Sequence, residues 1–115
     1  MGAVYPKDIR ADEDDEQKEM AFEYQETLAA PGNGDWIMFP DGVNGASVEL
    51  EVTAGEGYVE ATLASLQDVK TGATVTGKKW DLSNVVATTQ DYCLPCTAIR
   101  QVNVSGTTKI KVRMQ

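Results

Sequence analysis

The 115-residue sequence predicts an all-β domain, an antiparallel β-sandwich or jelly-roll-like fold carrying an extended acidic N-terminal arm. Three observations predict it. Runs rich in β-branched and aromatic residues recur at spacings of about ten residues, with Gly, Pro and Asn between them. Two stretches alternate with a period of two: Val48, Leu50 and Val52 against Glu49 and Glu51, and Ile110, Val112 and Met114 against Lys109, Lys111 and Arg113. A parallel α/β sheet would need long amphipathic crossover helices, and the sequence contains none.

Taken in order, residues 1–19 combine few apolar groups with a run of like charge, which cannot pack as a core element. They read either as a disordered tail or as an arm that orders on a neighbouring subunit, with Val4, Tyr5, Pro6 and Ile9 as anchors, and residues 20–115 read as the domain. Met20, Phe22, Tyr24 and Leu28 fall at even positions and suggest a first strand, although Glu, Lys, Met and Ala in the same stretch all favour helix. Pro31-Gly32-Asn33-Gly34 is a turn cluster, and Trp36 to Phe39 is a short, wholly apolar strand. Ser47 to Thr53 is a strand, Gly55 and Gly57 bracket a turn, and Tyr58 to Leu63 follows with Val59, Ala61 and Leu63 on one face. Ser65 to Asp68 reads as a capped helical turn closed near Gly72. Thr74 to Trp80 and Val85 to Thr89 are two further β-rich runs. Ser105-Gly106-Thr107-Thr108 then separates two β-branched segments, which together read as a terminal hairpin.

Charge is unevenly placed. The whole chain carries −8, and residues 1–26 alone carry −6, from nine acids against Lys7, Arg10 and Lys18. That balance argues against nucleic acid, because phosphate binding requires clustered cations. No run approaches the ~20 apolar residues of a membrane-spanning helix, and the N-terminus lacks a charged-then-apolar secretory pattern. Met1-Gly2 is a poor myristoylation signal because Pro6 stands where Ser or Thr is required.

The catalytic inventory is thin. Histidine is absent, which removes the commonest general base and the commonest zinc ligand, so neither an enzyme nor a cofactor or metal is expected. Cys93-Leu94-Pro95-Cys96 has dithiol spacing, but a β-branched run follows it where a thioredoxin-like site has a helix. Cys93 and Cys96 are left as a local disulfide, as links to another chain or as inert thiols. The acids Asp12, Glu13, Asp14, Asp15 and Glu16 lack the Gly that a calcium loop needs at its sixth position, where Gln17 stands. Trp36, Tyr58, Trp80 and Tyr92 are aromatics suited either to packing or to stacking on sugar rings. Glu49, Glu51 and Glu60 read as outward residues of neighbouring strands.

The second half of the chain carries a resemblance. Ser65-Leu-Gln-Asp-Val-Lys-Thr-Gly72, Lys79-Trp80-Asp81-Leu82 with Asn84-Val85, Thr88-Thr89-Gln90, Thr97-Ala98-Ile99-Arg100 and the closing Val112-Arg113-Met114-Gln115 resemble the C-terminal part of small β-sandwich proteins of tailed-bacteriophage virions. The resemblance implies a capsid decoration (cement) protein, made in the host cytoplasm and carried on the virion. Its implied partners are further copies of itself, with a trimer expected, and the major capsid protein or other virion proteins. A head–tail or tail accessory component is the alternative within that class, and a carbohydrate-binding module using Trp36 and Trp80 is the alternative outside it. That family has apolar or small residues in place of Cys93 and Cys96, which makes cross-linking a question particular to this chain. On this reading the partner contacts are Tyr5, Pro6 and Ile9, the acids Asp12 to Glu16, and the cations Lys109, Lys111 and Arg113. An acidic arm lying across a neighbour's basic strand would join two complementary surfaces.

Overall fold

The computed structural model describes residues 2–9, 21–72, 75, 77–79 and 85–115. Along them run β1 (Ala3–Val4), β2 (Lys7–Asp8), β3 (Phe22–Leu28), β4 (Gly32–Asn33), β5 (Trp36–Met38), β6 (Ala46–Thr62), α1 (Leu66–Thr71), β7 (Lys78–Lys79), β8 (Thr89–Cys93) and β9 (Ala98–Met114). The strands join in a single sheet, so the chain is all-β, a curled open sheet.

The central pair is not the terminal hairpin that the sequence suggests. β9 is continuous through Ser105 to Thr108 and pairs antiparallel with β6 over its whole length, from Ala46↔Met114 to Thr62↔Ala98. The two expected turns, at Gly55–Gly57 and Ser105–Thr108, are both corrected by this register, because they lie opposite one another as Gly55↔Gly106. Gly55 has φ 82° and Gly106 φ 74°, left-handed values that favour glycine. Register shifts flank them, between Val52 and Ala54 and between Glu56 and Gly57. The facing glycines therefore bend both strands together, where sequence reasoning expected each to reverse its own strand.

The length of the link between β8 and β9 limits how far apart the ends of β6 can lie. A straight strand of 17 residues would be roughly 55 Å long. β8 ends at Cys93 beside Ala46, and β9 begins at Ala98 beside Thr62, so four residues connect the neighbours of β6's two ends, a reach of at most about 18 Å. The two halves of β6 must fold toward each other. The other edge of β9 follows the same line: β3 pairs with Thr108 to Met114, β4 with Val102 and Asn103, and β5 with Ala98 and Ile99. The Pro31–Gly34 cluster is thus a corner that keeps its direction along β9.

The bend explains the change in side-chain parity. Thr108, Ile110, Val112 and Met114 point inward at even positions, whereas Ile99, Gln101 and Asn103 do so at odd ones. The expected inward set Val48, Leu50 and Val52 holds, and Val59 from the far half packs into the same cluster as Leu50, Ile99 and Ile110. Trp36, Met38, Val69 and Ala98 make a second cluster beneath α1. α1 forms as the sequence predicts: Ser65 Oγ accepts from the Asp68 N–H at 3.1 Å, and Gly72 closes the helix at φ 78°.

Polar side chains brace the bend from inside. Thr108 Oγ1 donates to Gln101 Oε1 at 2.8 Å, joining the two halves of β9, and Gln101 Nε2 donates to the Glu26 backbone carbonyl at 2.8 Å. Asn103 Nδ2 donates both to the Leu28 carbonyl at 2.9 Å and to the Gly106 carbonyl at 2.8 Å. Two further expectations need correction. The strand expected over Val85–Thr89 begins at Thr89, Val85 making only an isolated bridge to Gly57. Leu63 is 83% exposed because it follows the last residue of β6.

Candidate functional site

The four strands β8, β6, β9 and β3 lie side by side, and their registers place outward side chains in rows. One row reads Gln90, Glu49, Lys111 and Gln25, and the next reads Tyr92, Ser47, Arg113 and Glu23. These residues line an open groove of about 550 Å³ across the outer face of the sheet. Its size falls within the range of ligand sites, about 300–1,000 Å³. Sequence periodicity identifies which residues face outward, but only the register between distant strands assembles them here.

Ion pairs fix the rows. Lys111 Nζ lies 3.2 Å from Glu49 Oε2 and 3.1 Å from Glu51 Oε2, while Gln90 Nε2 donates to Glu49 Oε1 at 2.6 Å. The hydrogen bond from Gln90 and the Lys111 ammonium hold the Glu49 carboxyl below the usual glutamate range. The Glu51 and Glu49 carboxylates in turn raise Lys111. Arg113 Nη1 lies 3.2 Å from Glu23 Oε1. The basic stripe expected for a neighbour's arm is therefore engaged, at Lys111 and Arg113, with carboxylates of its own chain. Lys109 stands on the same face, in register with Thr27 and Glu51.

Tyr92 marks one end of the groove. It is 53% exposed, and its hydroxyl donates to the Asn44 carbonyl at 3.2 Å, beside a smaller recess lined by Asn44, Gly45 and Gln115. Trp36 plays no such part: it is 5% exposed and covered by the Arg100 guanidinium at 4.3 Å, which itself pairs with Glu60 at 2.8 Å. That burial corrects the expectation of Trp36 as a sugar platform. Lys79 lies 4.4 Å over the Tyr58 ring, and Trp80 is outside the described residues.

The N-terminal anchors lie on their own chain. β1 pairs parallel with β5 and β2 antiparallel with β3, so residues 2–9 add to the edge of the sheet. Pro6 is buried, Ile9 is half-buried and donates its N–H to the Ala21 carbonyl at 3.0 Å, and Tyr5 lies beneath Lys70 of α1 at 5.3 Å. Asp12, Glu13, Asp14, Asp15 and Glu16 lie outside the described residues, in a segment whose two ends that Ile9–Ala21 bond holds together. Among the described residues no group of three or more His, Cys, Asp and Glu is placed to hold a metal ion, and no helix is long and apolar enough to cross a membrane.

Cys93 and Cys96 are free thiols at the crossing from β8 to β9. Cys93 is buried and Cys96 half-buried, and the two side chains are hydrogen-bonding partners. That contact and burial push the Cys93 thiol up, while the Cys93 hydrogen bond, with backbone bonds at Thr62 and Ala98, holds Cys96 down.

No protein-family profile matches the sequence, and no curated protein matches it. One solved structure, from structural and spectroscopic work on the mechanism of oxalate oxidase, is similar with TM-score 0.48 and 17% identity, over 82% of this chain and 41% of that one. The chain thus spans about two fifths of that structure's length.

Proposed function

We propose that this chain is a structural component of a virion, a decoration-type module that binds an outer capsid surface as a homo-oligomer, with a trimer as the expected state. The observation that carries the reading is the outer face of β8, β6, β9 and β3. Its charged side chains are cross-braced by Gln90–Glu49–Lys111 and Glu23–Arg113, so the surface is ordered before any partner arrives. Pre-ordered polar groups cost less entropy on docking, and the alternating signs favour a partner of matching pattern over others. Tyr92 and Leu94, 53% and 73% exposed at the β8 edge, supply the large apolar contacts that protein interfaces favour. The Ser65–Gln115 resemblance supports the same class. On this reading the two halves of the curled sheet work as the layers of a jelly-roll-like sandwich, with the groove face turned outward, and the acids Asp12 to Glu16 serve as contacts for a neighbour.

Copy number in purified particles tests the proposal. Hundreds of copies per particle support decoration, about a dozen or fewer move the chain to the neck or tail, and absence from the particle overturns the reading. A second reading has its own observation: a groove of ligand size that combines an exposed Tyr92 ring with Glu49, Asp91 and Gln90 suits a sugar ring. Glycan binding that is lost in Tyr92→Ala while the thermal transition is retained would favour host attachment over decoration.

A further inference from the structure

We propose that Cys93 and Cys96 are a reversible dithiol clasp that locks the link from β8 to β9 when it meets a low-molecular-weight disulfide such as oxidised glutathione. The position of the pair carries the inference. Cys93 is the last residue of β8, paired with Ala46 at one end of β6, and the link it begins leads to Ala98, paired with Thr62 at the other end. A bond between the two sulfurs would therefore secure the crossing that holds the two halves of the bend together. Both side chains belong to the same apolar cluster, yet Cys96 is only half-buried and the intervening Leu94 is 73% exposed, which leaves one side open to a small reagent.

The local chain is built for closure. Pro95 fixes its own φ and restricts Leu94 to extended backbone, so the two cysteines meet at little further entropic cost. In the reduced form Cys93 Sγ lies 3.3 Å from the Leu94 carbonyl and Cys96 Sγ 3.3 Å from the Ala98 carbonyl, so each sulfur has a backbone partner within reach as well as the other cysteine. The asymmetry of burial assigns the roles. Cys96, held down and the more accessible, is the attacking thiolate; Cys93, pushed up and buried, is the resolving thiol.

The exchange balances in two steps. Cys96 thiolate attacks one sulfur of the small disulfide, forming a mixed disulfide and releasing one small thiolate. Cys93 then loses its proton to solvent and attacks Cys96 Sγ, forming the Cys93–Cys96 bond and releasing the second thiolate. The protein pair gives up two electrons and two protons, and the reagent is reduced to two thiols.

Incubation of the purified chain with oxidised glutathione tests this. Intact mass is expected to fall by two hydrogens, with one monomer band on a non-reducing gel, and dithiothreitol should restore both thiols. For a loop this short the oxidised chain should melt about 5–10 °C above the reduced one. Cys93→Ser is expected to stop at the first step and keep one glutathione on Cys96, whereas Cys96→Ser should react far more slowly. An unchanged mass in the wild-type chain would overturn the proposal, as would a covalent dimer or an oxidised form that melts with the reduced one. The wild-type measurements stand alone if either variant fails to fold.

Discussion

Gly106 is the residue on which the bend turns. A Cβ built on it would run into the Ala54 carbonyl across the strand pair, and one on Gly55 would run into the Ser105 carbonyl. Gly72 has nearly the same left-handed φ, 78° against 74°, but a Cβ there meets nothing within 4 Å. The two sites therefore separate conformational strain from collision. Gly72→Ala should cost about 1–2 kcal/mol, the ordinary penalty of a left-handed L-residue. Gly106→Ala carries the same penalty plus a backbone overlap, and should cost roughly 3 kcal/mol or more by urea unfolding. Equal costs would mean that the strand pair opens freely at this point. Neither effect was legible in the sequence, where Ser-Gly-Thr-Thr is as good a hairpin turn as it is a bend. Gln101 and Asn103 left a trace: alternation from Ile99 puts both on the inward face, and buried polar side chains there require partners.

At the scale of elements, alternation gave the faces of the strand interiors, failing at Leu63 beyond the end of β6, and was insufficient for neighbours. Ile110, Val112 and Met114 are buried as the period of two requires, but nothing local in Lys111 names Glu49 and Glu51, some sixty residues earlier, as its partners. The pairing of β9 with β6 decides that, and a long-range register is invisible to a window of ten residues. The resulting ion pairs set a pH profile. Glu49 is held below its ordinary value, so its contribution is present above the usual glutamate pKa of about 4.3 and is lost as pH falls through the folded-state value. Lys111 is raised, so its contribution is complete below the usual lysine pKa of about 10.4 and is lost as pH rises through its folded-state value. Stability from this pair should be flat between those limits. The difference in Tm between wild type and Glu49→Gln should be constant near neutrality and shrink below about pH 4. A difference that grows with acid would show that Glu49 is destabilising where it stands. Both side chains are partly open to solvent, 39% for Lys111 and 21% for Glu49, so the effect should be small and weaken with salt.

For the whole molecule, the spacing and alternation of the β-rich runs sufficed to predict a β domain, whereas the curl required contacts between residues far apart in sequence, as in Gly55 opposite Gly106. The acidic N-terminal segment is where that limit matters most for function. Low hydropathy and like charge suggested an arm over residues 1–19, yet residues 2–9 lie on the sheet through the backbone pairings of β1 and β2 and the Ile9–Ala21 bond. Residues 10–20, which lie outside the described residues, carry six acids and two bases between Ile9 and Ala21, whose backbones are hydrogen-bonded. Replacing these eleven residues with a short Gly-Ser linker removes a charge of −4, half of the chain's net −8. Because the ends are already adjacent and each doubling of loop length costs only about 0.6 kcal/mol, the shortened chain should unfold within about 1 kcal/mol of wild type. If the segment docks on a neighbour, the same replacement should abolish oligomers in light scattering or release the chain from particles, and added salt should mimic it in the wild type by screening the acids. Unchanged assembly with unchanged stability would leave the braced groove face as the contact surface, and would predict that Tyr92→Ala, in place of the acidic deletion, breaks the assembly.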